Sequence, residues 1–155
     1  MIAQRFHLDA TLQYILQQAR LNKFTSFKQL TRFYGIADQD WAHVYTLLFQ
    51  HINKLVFHCA ENQIPCLAVM VVSKIHIETG IMSNRQVARL SKVMLAAHYQ
   101  GVMSLRNLQN HQKHCFSWVQ KQENDFYPIE VKNGEILPLY ERTHPLGANI
   151  YKLNS

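Results

Sequence analysis

WAHVYTLLFQHINKLVFHCAENQIPCLAVMVVS, residues 41 to 73, is the stretch whose reading decides the fold. Its first two thirds place Val44, Leu47, Leu48, Ile52, Leu55, Val56 and Cys59 at spacings of three and four. That is the period of one helical face, sustained for longer than a strand runs. The spacing predicts a central helix from Trp41 to about Asn62, the spine of the molecule. Pro65 then ends the helical pattern. The segment CLAVMVVS, residues 66 to 73, is rich in β-branched side chains and almost continuously apolar, as a strand buried on both faces would be.

Upstream, LDATLQYILQQAR sets Leu8, Leu12, Ile15, Leu16 and Ala19 on one face of a first helix, with Asp9 where a carboxylate favours the first turn. NKFTSFKQLTRFYG predicts a brief second helix. Thr25 or Ser26 caps it, Phe27, Leu30 and Phe33 give it an apolar side, and Gly35 closes it in the left-handed conformation. Downstream of the strand, IHIETG extends or turns it. Two further helices are expected, roughly from Asn84 to Tyr99 and from Met103 to Gln120, separated by Gly101. FYPIEVKNGEILPLY reads as a hairpin turning at Asn133-Gly134, with Pro128 and Pro138 confined to strand ends or edges. The expected fold class is α+β, a helix-rich single domain over residues 1 to 155 with a small sheet and a C-terminal hairpin.

A length of 155 residues suits one compact domain. The longest apolar run, IPCLAVMVV, is about half of what a membrane-spanning helix needs, and the start has no signal-peptide core. Three cysteines, an odd number, argue against a disulfide framework and for reduced thiols. A soluble, cytoplasmic protein without a membrane partner is expected.

Several residues carry a resemblance. The order FTSFKQLTRFYG, a long helix, ENQIPCLAVMVVSK and ETG, with HCFSW and FYP later, resembles a small bacterial domain family. That family opens a helix with Thr-Tyr-x-x-Leu and continues with Gly-x-Pro-x-Leu-x-x-Leu-Val-Val-Asn-Lys, where Gln63-Ile64 precedes Pro65 in this chain, and Thr-Gly-x-Pro. Here Phe27 stands in place of the Tyr, Ser73 in place of the Asn, and Ile81-Met82 in place of the segment with the second Pro. The resemblance implies winged-helix-like N-terminal helices around the long central one, and with them DNA binding. The turn that would read a groove, however, is Asp38-Gln39-Asp40-Trp41, whose carboxylates oppose a polyanion.

The formal charge is +6, and it is segregated. No carboxylate lies between Glu78 and Glu123, whereas Arg85, Arg89, Lys92, Arg106, Lys113 and Lys121 recur there on two helical patterns. Arg85, Arg89 and Lys92 share a helical face, opposite Val87, Leu90, Val93, Met94 and Ala97. Three uses of that face stay open: a solvated side of an amphipathic helix, a contact with the phosphates of nucleic acid, or a grip on an acidic protein partner by an inhibitor or immunity-type protein. The nucleic-acid reading takes Arg85, Arg89, Lys92, Arg106 and Lys113 as its binding residues.

Catalytic and metal signatures are weak. His111, His114 and Cys115 stand at i, i+3 and i+4, a spacing compatible with ligands to a soft divalent metal, and His51, His58 and Cys59 could add to them. No Cys-x-x-Cys or His-Glu-x-x-His motif accompanies them, and no cofactor or metal is assigned. His58-Cys59 and His114-Cys115 are neighbours in sequence, which on a helix point about 100° apart and form no dyad. Glu130, Glu135 and Glu141 read as solvated hairpin charges. There is no Gly-rich phosphate loop, Gly-x-Ser-x-Gly or kinase-like set, so the chain is not read as an enzyme. PLYERTHPLGANIY, with Tyr140, Arg142, His144 and Tyr151, reads as a tail stapled to the core or as a recognition surface. The oligomeric state is left open.

Overall fold

The computed structural model describes residues 6–100 and 104–122, together with the backbone of 129–132 and 135–138. Five helices make up most of it: α1 (Leu8–Arg20), α2 (Phe27–Phe33), α3 (Trp41–Glu61), α4 (Asn84–Ala96) and α5 (Leu105–Lys121). Two strands, β1 (Thr25–Ser26) and β2 (Val71–Val72), pair in parallel, and β3 (Ile129–Lys132) and β4 (Glu135–Pro138) form an antiparallel pair. Helix-rich α+β is therefore the fold class. Lys132 faces Glu135 and Ile129 faces Pro138, so the proline stands at the end of its strand. The expected Asn133-Gly134 turn, Gly101, and the 139–155 tail lie outside the described residues.

Serine caps start α2, α4 and α5. Ser26 caps α2 in a reciprocal box, its hydroxyl accepting from the Gln29 N–H while the Gln29 side chain accepts from the Ser26 N–H, both at 3.0 Å. Ser83 and Ser104 cap α4 and α5 through the N–H groups of Gln86 and Asn107. Four helices end in the same left-handed closure, with Asn22, Gly35, Gln63 and His98 at φ between 58° and 72°. In α3, for example, the Gln63 N–H donates to the Ala60 carbonyl and the Ile64 N–H to that of Cys59. This pairing satisfies carbonyls that would otherwise be left open at the helix end.

The core is shared by all five helices. Leu12, Ile15, Leu16 and Ala19 of α1, Leu30 of α2, Leu48, Leu55 and Val56 of α3, Met94 of α4, and Leu108 and Val119 of α5 are enclosed in one cluster. The faces anticipated for α1, α3 and α4 are in the main the ones that turn inward, though Leu8, Leu47 and Val93 are only half-buried. Among the described residues no helix is long and apolar enough to cross a membrane.

One expectation is corrected. CLAVMVVS does not form an extended strand: Leu67–Met70 coil into a 3-10 turn and only Val71–Val72 are strand. Residues 66–72 are buried all the same. Its sole described strand partner is two residues long, so a longer strand would bury unpaired peptide groups. The chain instead closes a local bond, Val69 N–H to Cys66 carbonyl, and borrows side chains: the Gln112 amide donates to the Val69 carbonyl and that of Gln86 to the Val71 carbonyl. IHIETG turns, with Lys74–His76 in a second 3-10 turn.

Candidate nucleic-acid interface

Helix α4 is fixed from beneath. Val87, Leu90, Ser91 and Met94 are buried, and the Gln86 amide bonds the Val71 carbonyl at 3.0 Å. That orientation leaves Arg85 and Lys92 exposed and Arg89 half-buried at the margin. The Arg89 guanidinium lies 4.1 Å from the centroid of the Phe49 ring, within cation–π range. Phe27 in turn meets Phe49 edge-on at 5.1 Å. Burial, with Arg85 one turn away, lowers the Arg89 pKa, yet a guanidinium keeps its proton under any physiological condition.

On α5, Leu108, Gln112, Cys115 and Val119 face inward, leaving Arg106 and Lys113 exposed two turns apart. These two cations border a cleft of about 410 Å³ that also includes Phe24, Thr79, Asn110 and Phe116. The structure thus brings Arg106 together with Lys113, and Arg85 with Arg89. Helices α4 and α5 pack on one another, but the crevice beside Arg89 and the cleft beside Arg106 share no lining residue. None of Arg85, Arg89, Lys92, Arg106 and Lys113 is ion-paired with a carboxylate among the described residues. By contrast, Arg20 is structural: it donates to the Val119 and Gln122 carbonyls at the end of α5.

The sequence reading missed a second feature. Trp41, Tyr45 and Phe49 lie along α3 at i, i+4 and i+8, with successive ring centroids 6.1 and 6.0 Å apart. Trp41 is 38% and Tyr45 43% exposed. The i+4 repeat beside the apolar face was visible in the sequence, but the placing of Arg89 over its third ring was not. In the structure Asp38 is held by Lys28 at 3.2 Å and Arg32 at 3.5 Å, and the Lys28 hydrogen bond keeps its carboxyl below the usual carboxylate range. Beside Trp41 opens a cleft of about 330 Å³ bordered by Phe27, Lys28, Asp38 and Lys74.

The histidine and cysteine cluster is used internally. His111 Nε2 accepts the Cys66 N–H at 2.9 Å, the Cys115 thiol faces the Cys66 carbonyl at 3.6 Å, and His114 is exposed. Among the described residues no group of three His, Cys, Asp or Glu is arranged to hold a metal ion. Cys59, Cys66 and Cys115 are free and fully enclosed, and burial pushes the Cys59 thiol up to about 12, far from the thiolate a nucleophile needs. His51 and His58 also lie apart from His111. His51 bonds Thr11 at 2.7 Å and His58 approaches Asp9 at 3.7 Å. No family model, curated protein or solved structure matches the chain, so the reading of this surface rests on its own geometry.

Proposed function

We propose that the protein is a small intracellular module that binds nucleic acid through the basic outer faces of α4 and α5, with Arg85, Arg89, Lys92, Arg106 and Lys113 as the phosphate contacts. The observation that carries this reading is their lack of carboxylate partners among the described residues. Lys28 and Arg32, by contrast, are engaged by Asp38. Cations held on well-packed helices with no carboxylate partner among the described residues are available to displace counterions from a phosphate backbone. The proposal includes a winged-helix-like character for α1 to α3, with α4 rather than α3 supplying the charge that meets the polymer.

The test is an anisotropy titration of labelled single-stranded and duplex DNA and RNA, with Arg85→Glu/Arg89→Glu alongside. Binding at low salt that weakens about tenfold or more in the double variant supports the proposal, since at least two phosphate contacts turn repulsive. Absence of binding to every polymer, with recovery of one acidic protein as a stoichiometric partner, would replace it by the inhibitor-type alternative.

A further inference from the structure

We infer that the exposed Trp41–Tyr45 edge of α3 is a stacking platform for the bases of single-stranded nucleic acid, with Arg89 and Arg85 beside it to take the phosphates. This rests on the nucleic-acid reading above and narrows it to one class of polymer and to residues outside the basic helices.

The cluster is built on one helical face, which residues four apart share. Its three rings close on one another, Trp41 meeting Phe49 edge-on at 6.3 Å while each also meets Tyr45. The rest of α3 does not need these rings for packing, because Val44, Leu48, Ile52, Leu55 and Val56 fill the core from the adjacent face. Phe49 is the inner member, covered by Arg89 and met by the edge of Phe27, and it holds the guanidinium beside the cluster. Trp41 and Tyr45 are the outer members and remain open.

Cations border the cluster. Arg89 stands over Phe49 and Arg85 lies one turn earlier on α4, while Lys74 borders the cleft next to Trp41. Of the two carboxylates in the turn before Trp41, Asp38 is bound by Lys28 and Arg32, and Asp40 is half-buried at the start of α3. Flat rings with cations at their margin match a strand whose bases alternate with phosphates. A duplex keeps its bases stacked inside and offers no face to these rings. An acidic polypeptide would satisfy the cations but gives the rings no flat partner, and a purely apolar partner would strand Arg85 and Arg89 away from water.

Intrinsic fluorescence tests this on the full chain carrying Trp118→Phe, so that Trp41 is the sole tryptophan. Oligothymidylate and oligouridylate should quench Trp41 saturably, with a midpoint matching the anisotropy titration, whereas duplex DNA and polyglutamate should not. Tyr45→Ala should weaken single-strand binding by about fivefold to a hundredfold, the range of one lost base–aromatic stack. Tyr45→Phe, which keeps the ring, should restore it, and circular dichroism of both variants monitors the fold. Oligonucleotide binding without quenching and indifferent to Tyr45→Ala would overturn the platform while leaving the basic-face proposal standing. Duplex preference, or equal quenching by polyglutamate, would also overturn it. No binding to any polymer would remove both.

Discussion

The side-chain amide of Gln112 donates to the Val69 carbonyl at 2.9 Å, and its second hydrogen reaches the Gly80 carbonyl at 2.8 Å. One buried residue of α5 thereby satisfies the 3-10 turn that replaces a strand and the bend that leads into α4. Gln112→Leu keeps the volume but leaves two acceptors without that donor. A destabilisation of about 2 to 4 kcal/mol is expected, measured by urea unfolding, because each unsatisfied buried group costs about 1 to 3 kcal/mol. A loss below about 0.5 kcal/mol would mean that these carbonyls find other donors.

His51 gives stability a pH dependence. Tyr34 donates its hydroxyl hydrogen to the His7 carbonyl, so Thr11 donates to Tyr34 and the His51 Nε2–H donates to Thr11. Burial, followed by Lys54 and His7, lowers the His51 pKa from 6.5 to about 4, and burial with His114 nearby does the same for His111. The unfolded chain binds these protons first. Stability is therefore at its full value above about pH 6.5, falls as the pH drops toward 4, and loses nothing more to these groups below that. For His51 alone the full loss is about 3 kcal/mol. Urea midpoints between pH 7 and pH 4 should fall in the parent and flatten in His51→Gln/His111→Gln; equal slopes would contradict this assignment.

Gly80 and Gly35 share a left-handed backbone, at φ 73° and 72°, but not their surroundings. A Cβ at Gly35 meets nothing, whereas one at Gly80 runs into the Phe24 ring, which itself packs edge-on against Phe116 at 5.0 Å. Gly35→Ala should cost about 1 to 2 kcal/mol from the backbone alone. Gly80→Ala should cost clearly more and should disturb the aromatic wall of the Arg106–Lys113 cleft. Thermal unfolding of the two variants side by side checks the order.

The opposite substitution should help at the end of α3. Gln63 holds φ 58° without being glycine, and its closing bonds use only backbone. Gln63→Gly should stabilise by about 0.5 to 1 kcal/mol, the relieved strain less the added freedom of the unfolded chain. A fall in the unfolding midpoint would show that the Gln63 side chain contributes to the fold.

These tests fall where the sequence was legible and where it was not. The faces of α1, α3 and α4, the Ser26 cap and the Gly35 stop follow from local spacing and chemistry, and they could be read directly. Residues 67–70 could not, because a run enclosed on every side has no periodicity to distinguish a turn from a strand. The role of His111 depends on a peptide N–H 45 positions away, and that of Arg89 on a ring 40 positions away. Neither pairing leaves a local signature. The cations were plain in the sequence, but their separation into an Arg85–Arg89 edge and an Arg106–Lys113 cleft is a product of the packing of α4 on α5.

Salt dependence of oligonucleotide affinity is the most direct measurement. If the five cations of α4 and α5 meet phosphates, log Kobs should fall against log salt with a slope of roughly −3.5 on single strands, at about −0.7 for each contact. Arg85→Glu/Arg89→Glu should make that slope shallower by at least about 1. A slope near zero, or one that the double variant leaves unchanged, would contradict the account.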